Sequence, residues 1–270
     1  MTAVAVFLFG LMVGSFLNVC ICRLPEEEQV IRGRSHCRSC RHVIPWYDNI
    51  PLLSFLLLKG KCRFCKAGIS WVYPAVELAT GLFFLGVLFR FGPTAVAAVY
   101  AAFGAALIVV SVIDAREMII PDEISLPGIP LGLILSGFFP ALHGVSRWQE
   151  GLTRSLLGCA AGAGLIFIMG FAGKIIFQRK LKAIGEEEAV GGGDLKLMGM
   201  VGALIGAPKV LLTTLVLAPM LGSVVGVVMK FRFKRDLIPY GPFLALGALA
   251  TVFWGDGLVK WYQSLFWFRG

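Results

Sequence analysis

Apolar residues fill this chain in long runs that few charges interrupt, at 3–22, 73–89, 93–113, 124–139, 152–177, 195–207, 209–229 and 237–254. The hydrocarbon core of a bilayer is about 30 Å thick and takes about 20 helical residues to cross. In lipid every backbone N–H and C=O must be satisfied internally, and a helix does this by itself. The runs therefore predict an all-α polytopic membrane protein with about eight transmembrane helices. Two of them, 124–139 and 195–207, are short enough to be broken or shallow; at 1.5 Å per residue the second reaches only about 20 Å. A composition of 57% hydrophobic and 15% charged residues excludes an ordinary soluble domain.

Eight crossings place both termini on one side. The segments after the first, third, fifth and seventh runs hold eighteen Lys and Arg residues, against six on the opposite side. Basic residues gather on the cytoplasmic side of membrane spans. Both termini are thus expected outside, and the long loop 23–72 in the cytosol. The formal charge of +9 has the same origin, so no nucleic-acid partner is expected. Met1-Thr2-Ala3-Val4 lacks the basic start of a signal peptide, and 1–22 reads as an uncleaved first transmembrane helix. Residues 73–254 form the expected transmembrane core. Beyond a turn expected at Gly255-Asp256-Gly257, the aromatic segment 255–270 reads as an interfacial tail. Pairs such as Gly10/Gly14, Gly158/Gly162 and Gly202/Gly206 let helix backbones approach closely.

Of the seven cysteines, Cys20, Cys22 and Cys159 sit on apolar runs and read as core. The other four form Cys37-Arg38-Ser39-Cys40 and Cys62-Arg63-Phe64-Cys65. Paired CxxC knuckles suit a tetrahedral Zn²⁺. Two disulfides are the alternative, which a reducing cytosol disfavours. Four thiolates close the coordination sphere, so the metal is expected to be structural. His36 and His42 flank the first knuckle and read as solvated loop residues.

Acidic groups at the ends of apolar runs are candidates for chemistry, because charge near the membrane is costly. Gly191-Gly192-Gly193-Asp194 places one carboxylate after three glycines, whose missing Cβ atoms let another chain come near. Gly191, Gly193 and the neighbouring Lys196 are candidates for substrate approach. Asp114 and Asp122 are expected on the same face. Two carboxylates at one depth can share a proton, one ionised to activate water and one protonated to polarise a peptide carbonyl. Asp122 after Pro121 equally suits a helix N-cap, and Asp114 could be held by Arg116 or Lys196. The residues alone leave both pairings with Asp194 open. Glu186-Glu187-Glu188 reads as a solvated acidic run.

These motifs together resemble the bifunctional type IV prepilin peptidases, inner-membrane enzymes of the GxGD aspartic protease group. The resemblance rests on Gly14-Ser15-Phe16-Leu17-Asn18-Val19, Arg23-Leu24-Pro25 and both knuckles. It continues through Ile44-Pro45-Trp46-Tyr47-Asp48-Asn49-Ile50-Pro51, Gly60-Lys61-Cys62, Tyr73-Pro74-Ala75-Val76-Glu77, Asp114, and Gly191 to Leu197. It implies that Asp114 and Asp194 are the catalytic dyad and that Asp122 is not. It also implies prepilin and pseudopilin substrates, cleavage after a glycine at the cytosolic face, and N-methylation with S-adenosylmethionine. The zinc-bearing loop accompanies the bifunctional form. Asn18, Trp46, Asp48, Asn49 and Glu77 are candidates for the methyl-transfer function. Arg38 stands where a proline is common and leaves the ligands untouched. Two other functions fit parts of the pattern: an ion-coupled transporter using the membrane acids, and a zinc-knuckle scaffold without catalysis.

Overall fold

The computed structural model describes residues 1–184, 191–228 and 239–267. The acidic run at 186–188 and the basic residues Lys230, Arg232, Lys234 and Arg235 lie outside them. Every regular element among the described residues is helical. Six stretches are long and apolar enough to cross a membrane: Thr2–Glu26, Val72–Phe91, Ala95–Glu117, Trp148–Ile176, Ala207–Val228 and Gly241–Tyr262. The two short runs form helices of 17 and 14 residues. The chain divides into two compact units, Met1–Val112 and Ile113–Gly270.

In the first unit, α1 (Thr2–Arg23) packs on α3 (Val72–Phe91). A Cβ on Gly10 would stand 2.8 Å from the Gly81 Cα, and one on Gly14 would stand 2.7 Å from the Glu77 Cα. Only glycine permits so close a backbone contact. The connecting loop carries 3-10 turns at Leu24–Glu26 and Trp46–Asp48 and the short α2 (Leu53–Leu57). Arg23 gathers the first stretch of this loop, donating to the carbonyls of Gln29, Val30 and Arg32 at 3.0, 3.3 and 2.7 Å. The buried Glu77 Oε2 accepts the Leu52 N–H at 2.8 Å, and the Asn18 amide donates to the Tyr73 carbonyl at 3.0 Å. These bonds tie α2 and α1 to the start of α3. α4 (Ala95–Glu117) begins in this unit and enters the second with its last turns.

The second unit is arranged around α7 (Gly192–Ile205), which packs against α5 (Asp122–Phe138), α6 (Trp148–Ile184) and α10 (Gly241–Trp267). All of residues 197–205 are buried, so α7 is enclosed by protein on every side, as a uniformly apolar helix must be. The last carbonyls of a helix lack intrahelical partners. Here the Ala203 carbonyl accepts hydroxyl bonds from Ser136 at 3.1 Å and Ser155 at 2.6 Å. The His143 ring, in a 3-10 turn at Pro140–His143, lies 2.9 Å from the Ser136 hydroxyl. α7 can therefore stop inside the protein, which is why its run is too short to span. Gly206, at φ +81°, turns the chain into α8 (Ala207–Leu212), a π turn at Thr213–Leu217 and α9 (Ala218–Val228).

Two boundaries differ from expectation. α6 continues to Ile184, beyond 177, because Gln178, Arg179, Lys180, Leu181 and Lys182 are all good helix formers. The turn expected at Gly255-Asp256-Gly257 is absent, and α10 runs through it. Lys209 explains this. Its side-chain carbons would lie 3.1 and 3.2 Å from a Cβ on Gly255, so the glycine accommodates the lysine stem, while its Nζ reaches Asp256 at 2.9 Å.

Candidate active site

Asp114 lies near the end of α4, which closes at Met118 in the left-handed region (φ +57°), its N–H bonded to the Asp114 carbonyl at 2.9 Å. Residues 119–121 then lead directly into α5. The Asp114 side chain is buried, and its Oδ2 accepts the Gly241 N–H, the first of α10, at 2.9 Å.

Asp194 is the third residue of α7, with Gly191 as N-cap in an extended conformation. Its own N–H bonds the Gly191 carbonyl at 3.1 Å, closing the first turn. Asp194 is half-buried, and its partial burial pushes its carboxyl up to about 7. The charge of Asp114 adds to the rise, and the Gly191 backbone opposes it. The two acids therefore form one electrostatic pair, each held at the N-terminus of a helix. Tyr240 adjoins them; burial and then the charge of Asp194 push its phenol up to about 12, so it stays neutral.

Ile120 joins the two sides. A Cβ on Gly193 would stand 2.9 Å from the Ile120 Cβ, so on its Cβ side Gly193 is packed against the connection that follows Asp114. Gly191 and Gly192 differ: among the described residues a Cβ on Gly191 would approach only the Asp194 Oδ2, at 3.8 Å, and one on Gly192 would meet nothing within 4 Å.

Asp122 stands apart from the pair. Pro121 is the N-cap of α5, and Asp122 is its first residue with no side-chain capping bond. Both its oxygens instead take the Lys196 Nζ at 2.8 Å. Lys196 thus ties α5 to the first turn of α7 and does not hold Asp114. The sequence pattern did not single out Tyr240 or Gly241. A signal was present in Tyr240-Gly241-Pro242, since a proline in the first turn marks a helix start.

In the first unit, the Sγ atoms of Cys37, Cys40, Cys62 and Cys65 all lie within 4.8 Å of one another. The two knuckles fold alike. Cys37 N–H bonds the His42 carbonyl and Cys62 N–H the Ala67 carbonyl, at 2.9 and 2.8 Å, while Arg41 and Lys66 adopt φ of +57° and +60°. Zinc–thiolate bonds of about 2.3 Å in a tetrahedron give an S···S edge of about 3.8 Å; Cys37 Sγ to Cys65 Sγ is 3.8 Å. Backbone N–H groups of Cys40 and Ser39 pull the Cys37 thiol down to about 6, toward the ligating thiolate, while Cys65, although the Ala67 backbone lowers it, is pushed up to about 11 by burial and the neighbouring sulfurs. The four sulfurs fit a metal ion, and all seven cysteines are free of disulfides. His42 stacks on Phe64, ring centroids 3.6 Å apart, rather than joining the cluster. Arg63 bonds Asp48 through two nitrogens at 2.6 and 2.7 Å, fastening the second knuckle to the Trp46–Asp48 turn. Asn18, Asp48 and Glu77 are thus all engaged in ties within the fold; Trp46 and Asn49 are exposed.

A family model described as the type IV leader peptidase family matches residues 101–227, and one described as the bacterial peptidase A24 N-terminal domain matches residues 8–91. A prepilin leader peptidase/N-methyltransferase of Myxococcus xanthus is 40% identical over 86% of this chain, which spans 64% of that relative's length. Proteins of the same name from Pseudomonas aeruginosa and Bacillus subtilis are each 34% identical. Those matches cover 97% of this chain and 93% of the first, and 96% of this chain and 97% of the second. No solved structure matches the chain.

Proposed function

The chain belongs to the type IV leader peptidase family, and on that premise we propose that it removes the leader of type IV prepilins and pseudopilins and N-methylates the new N-terminus. The reaction takes place at the cytosolic face of the bacterial inner membrane, with both termini periplasmic and the cysteine loop in the cytosol. Asp114 and Asp194 are the catalytic dyad. The observation that supports this is the approach of two acids from distant parts of the chain, Asp114 buried near the end of α4 and Asp194 half-buried in the first turn of α7, close enough for the charge of one to act on the other.

Two carboxyls so coupled keep one proton between them. The ionised group takes a proton from water while the water oxygen bonds to the scissile carbonyl carbon. The protonated group donates to the carbonyl oxygen, giving a tetrahedral diol. As the C–N bond breaks, a carboxyl proton passes to the leaving nitrogen, and a hydroxyl proton of the diol passes to a carboxylate, restoring the single shared proton. The leader departs with a new carboxyl group, and the mature chain has a free amine. Only hydrolysis creates that amine, so methylation follows cleavage. S-adenosylmethionine, when bound, supplies a sulfonium-activated methyl group to the amine nitrogen. Gly191 lets the substrate backbone come close to Asp194, and Lys196 steadies the turn through Asp122. Residues 73–254 form the peptidase core, and 23–72 the methyltransferase-associated loop. Cys37, Cys40, Cys62 and Cys65 hold a structural Zn²⁺ that orders this loop; with four protein ligands it keeps no position for substrate.

The test uses the full chain in detergent with a leader-bearing prepilin peptide, with and without S-adenosylmethionine. The expected products are the shortened peptide without the methyl donor, and the shortened peptide heavier by one methyl substitution with it. Processing that survives in Asp194→Asn or Asp114→Asn, each inserted in the membrane normally, refutes the dyad.

A further inference from the structure

We propose that Gly241 is a positioning residue of the peptidase, its backbone N–H holding Asp114 ionised and aimed so that Asp114 is the base and the shared proton rests on Asp194. This rests on the dyad proposed above. Gly241 is the first residue of α10, and its N–H is one of those a helix start leaves without an intrahelical partner. It donates to Asp114 Oδ2 at 2.9 Å across a separation of 127 residues. Pro242 follows and has no N–H of its own, which leaves Gly241 to present the positive end of the helix to the carboxylate.

The site also excludes a side chain. A Cβ at 241 would stand 2.7 Å from Asp114 Oδ2 and 3.1 Å from its Cγ, so any other residue displaces the acid. Among the described residues, the groups near Asp114 are the acid Asp194 and the neutral phenol of Tyr240, while Arg116 and Glu117 on the helix of Asp114 are exposed. An N–H donated to a carboxylate favours its charged form. The Asp114 carboxyl is thus aimed, and its ionised form favoured, by a backbone amide that no side-chain motif records.

Three forms of the full chain distinguish this from packing. Gly241→Ala inserts a methyl group against the acid. An amide-to-ester exchange at the 240–241 linkage removes the N–H and adds no side-chain atom. Gly247→Ala places a methyl group in the same helix, 3.0 Å from Thr213 Cγ2 and away from the acids. Hydrogen bonds to charged groups translate to about 10- to 150-fold, so kcat for leader cleavage should fall by that order in the first two with KM within about twofold. The acidic limb of the ester form's kcat–pH profile should move to higher pH, because Asp114 has lost its donor. Gly247→Ala should keep the native kcat. The proposal is overturned if the ester form retains native kcat and an unmoved limb, or if Gly247→Ala loses as much as Gly241→Ala. Absence of cleavage by the native chain would instead remove the dyad itself.

Discussion

Replacing Gly193 with alanine tests how the two acids are brought together. Carbon atoms in contact sit about 3.5–4.0 Å apart, whereas the new Cβ would stand 2.9 Å from the Ile120 Cβ, so one side must yield by about 0.6–1.1 Å. Ile120 lies on the short connection that follows Asp114, and residue 193 immediately precedes Asp194, so the displacement falls on their separation. A misplacement of about 1 Å at a reacting centre costs on the order of 10²-fold. Gly193→Ala should therefore lower kcat by roughly 30- to 100-fold with little change in KM. Exchanging the glycine across the contact, as Ile120→Gly with Gly193→Ala, removes the collision and should restore most of the rate. Steady-state cleavage of a leader-bearing peptide by the three forms is the assay. A rise in KM at native kcat would mean that substrate, and not Ile120, fills the space beside Gly193. Failure of the exchanged pair to recover would refute the packing account.

Other outcomes follow from the same geometry. Asp194, raised from the ordinary carboxylate range to about 7, holds its proton below that pH and releases it above. Cleavage should thus decline as pH rises through about 7, when both acids are ionised; activity undiminished about two units higher would contradict this. Cys37→Ser and Cys62→Ser should lose bound zinc and N-methylation while cleavage is less affected, measured by metal content and the two assays; unchanged metal content would rule out the knuckle site. Ser155→Ala strips one bond from the Ala203 carbonyl and should cost about 1 kcal/mol in a membrane protein. That amounts to a fall of roughly 2–4 °C in Tm; an unchanged Tm would show that Ser136 satisfies the carbonyl alone.

Features set by local rules were legible in the sequence. The apolar runs imposed helices, and each CxxC spacing imposed a tight turn whose geometry repeats between the knuckles. What escaped depended on partners distant in the chain. α7 is short because Ser136 and Ser155 close its end from two other helices, and no pattern within 192–205 announces that. Asp114 and Asp122 look alike to composition; Asp122 is separated from the pair by its Lys196 contact, and Asp114 is marked by an amide 127 residues away. That donor belongs to a glycine, so no side-chain chemistry pointed to it. The supposed turn at 255–257 failed for a related reason. Glycines weaken a helix in isolation, but Lys209 uses the space beside Gly255 and pairs with Asp256.

The serine hydroxyls that stop α7 have a geometric consequence for where a substrate is cut. A rod of 14 residues, pinned at Ala203 inside the protein and bearing an acid in its first turn, holds that acid at a fixed distance from the pin, about 14 Å. With Asp194 in the proposed dyad, the depth of the cut would be dictated by the enzyme and not by how far a pilin happens to slide into the bilayer. One extra residue in that rod would shift the acid by about 1.5 Å and swing it through about 100°, taking it out of register with its partner.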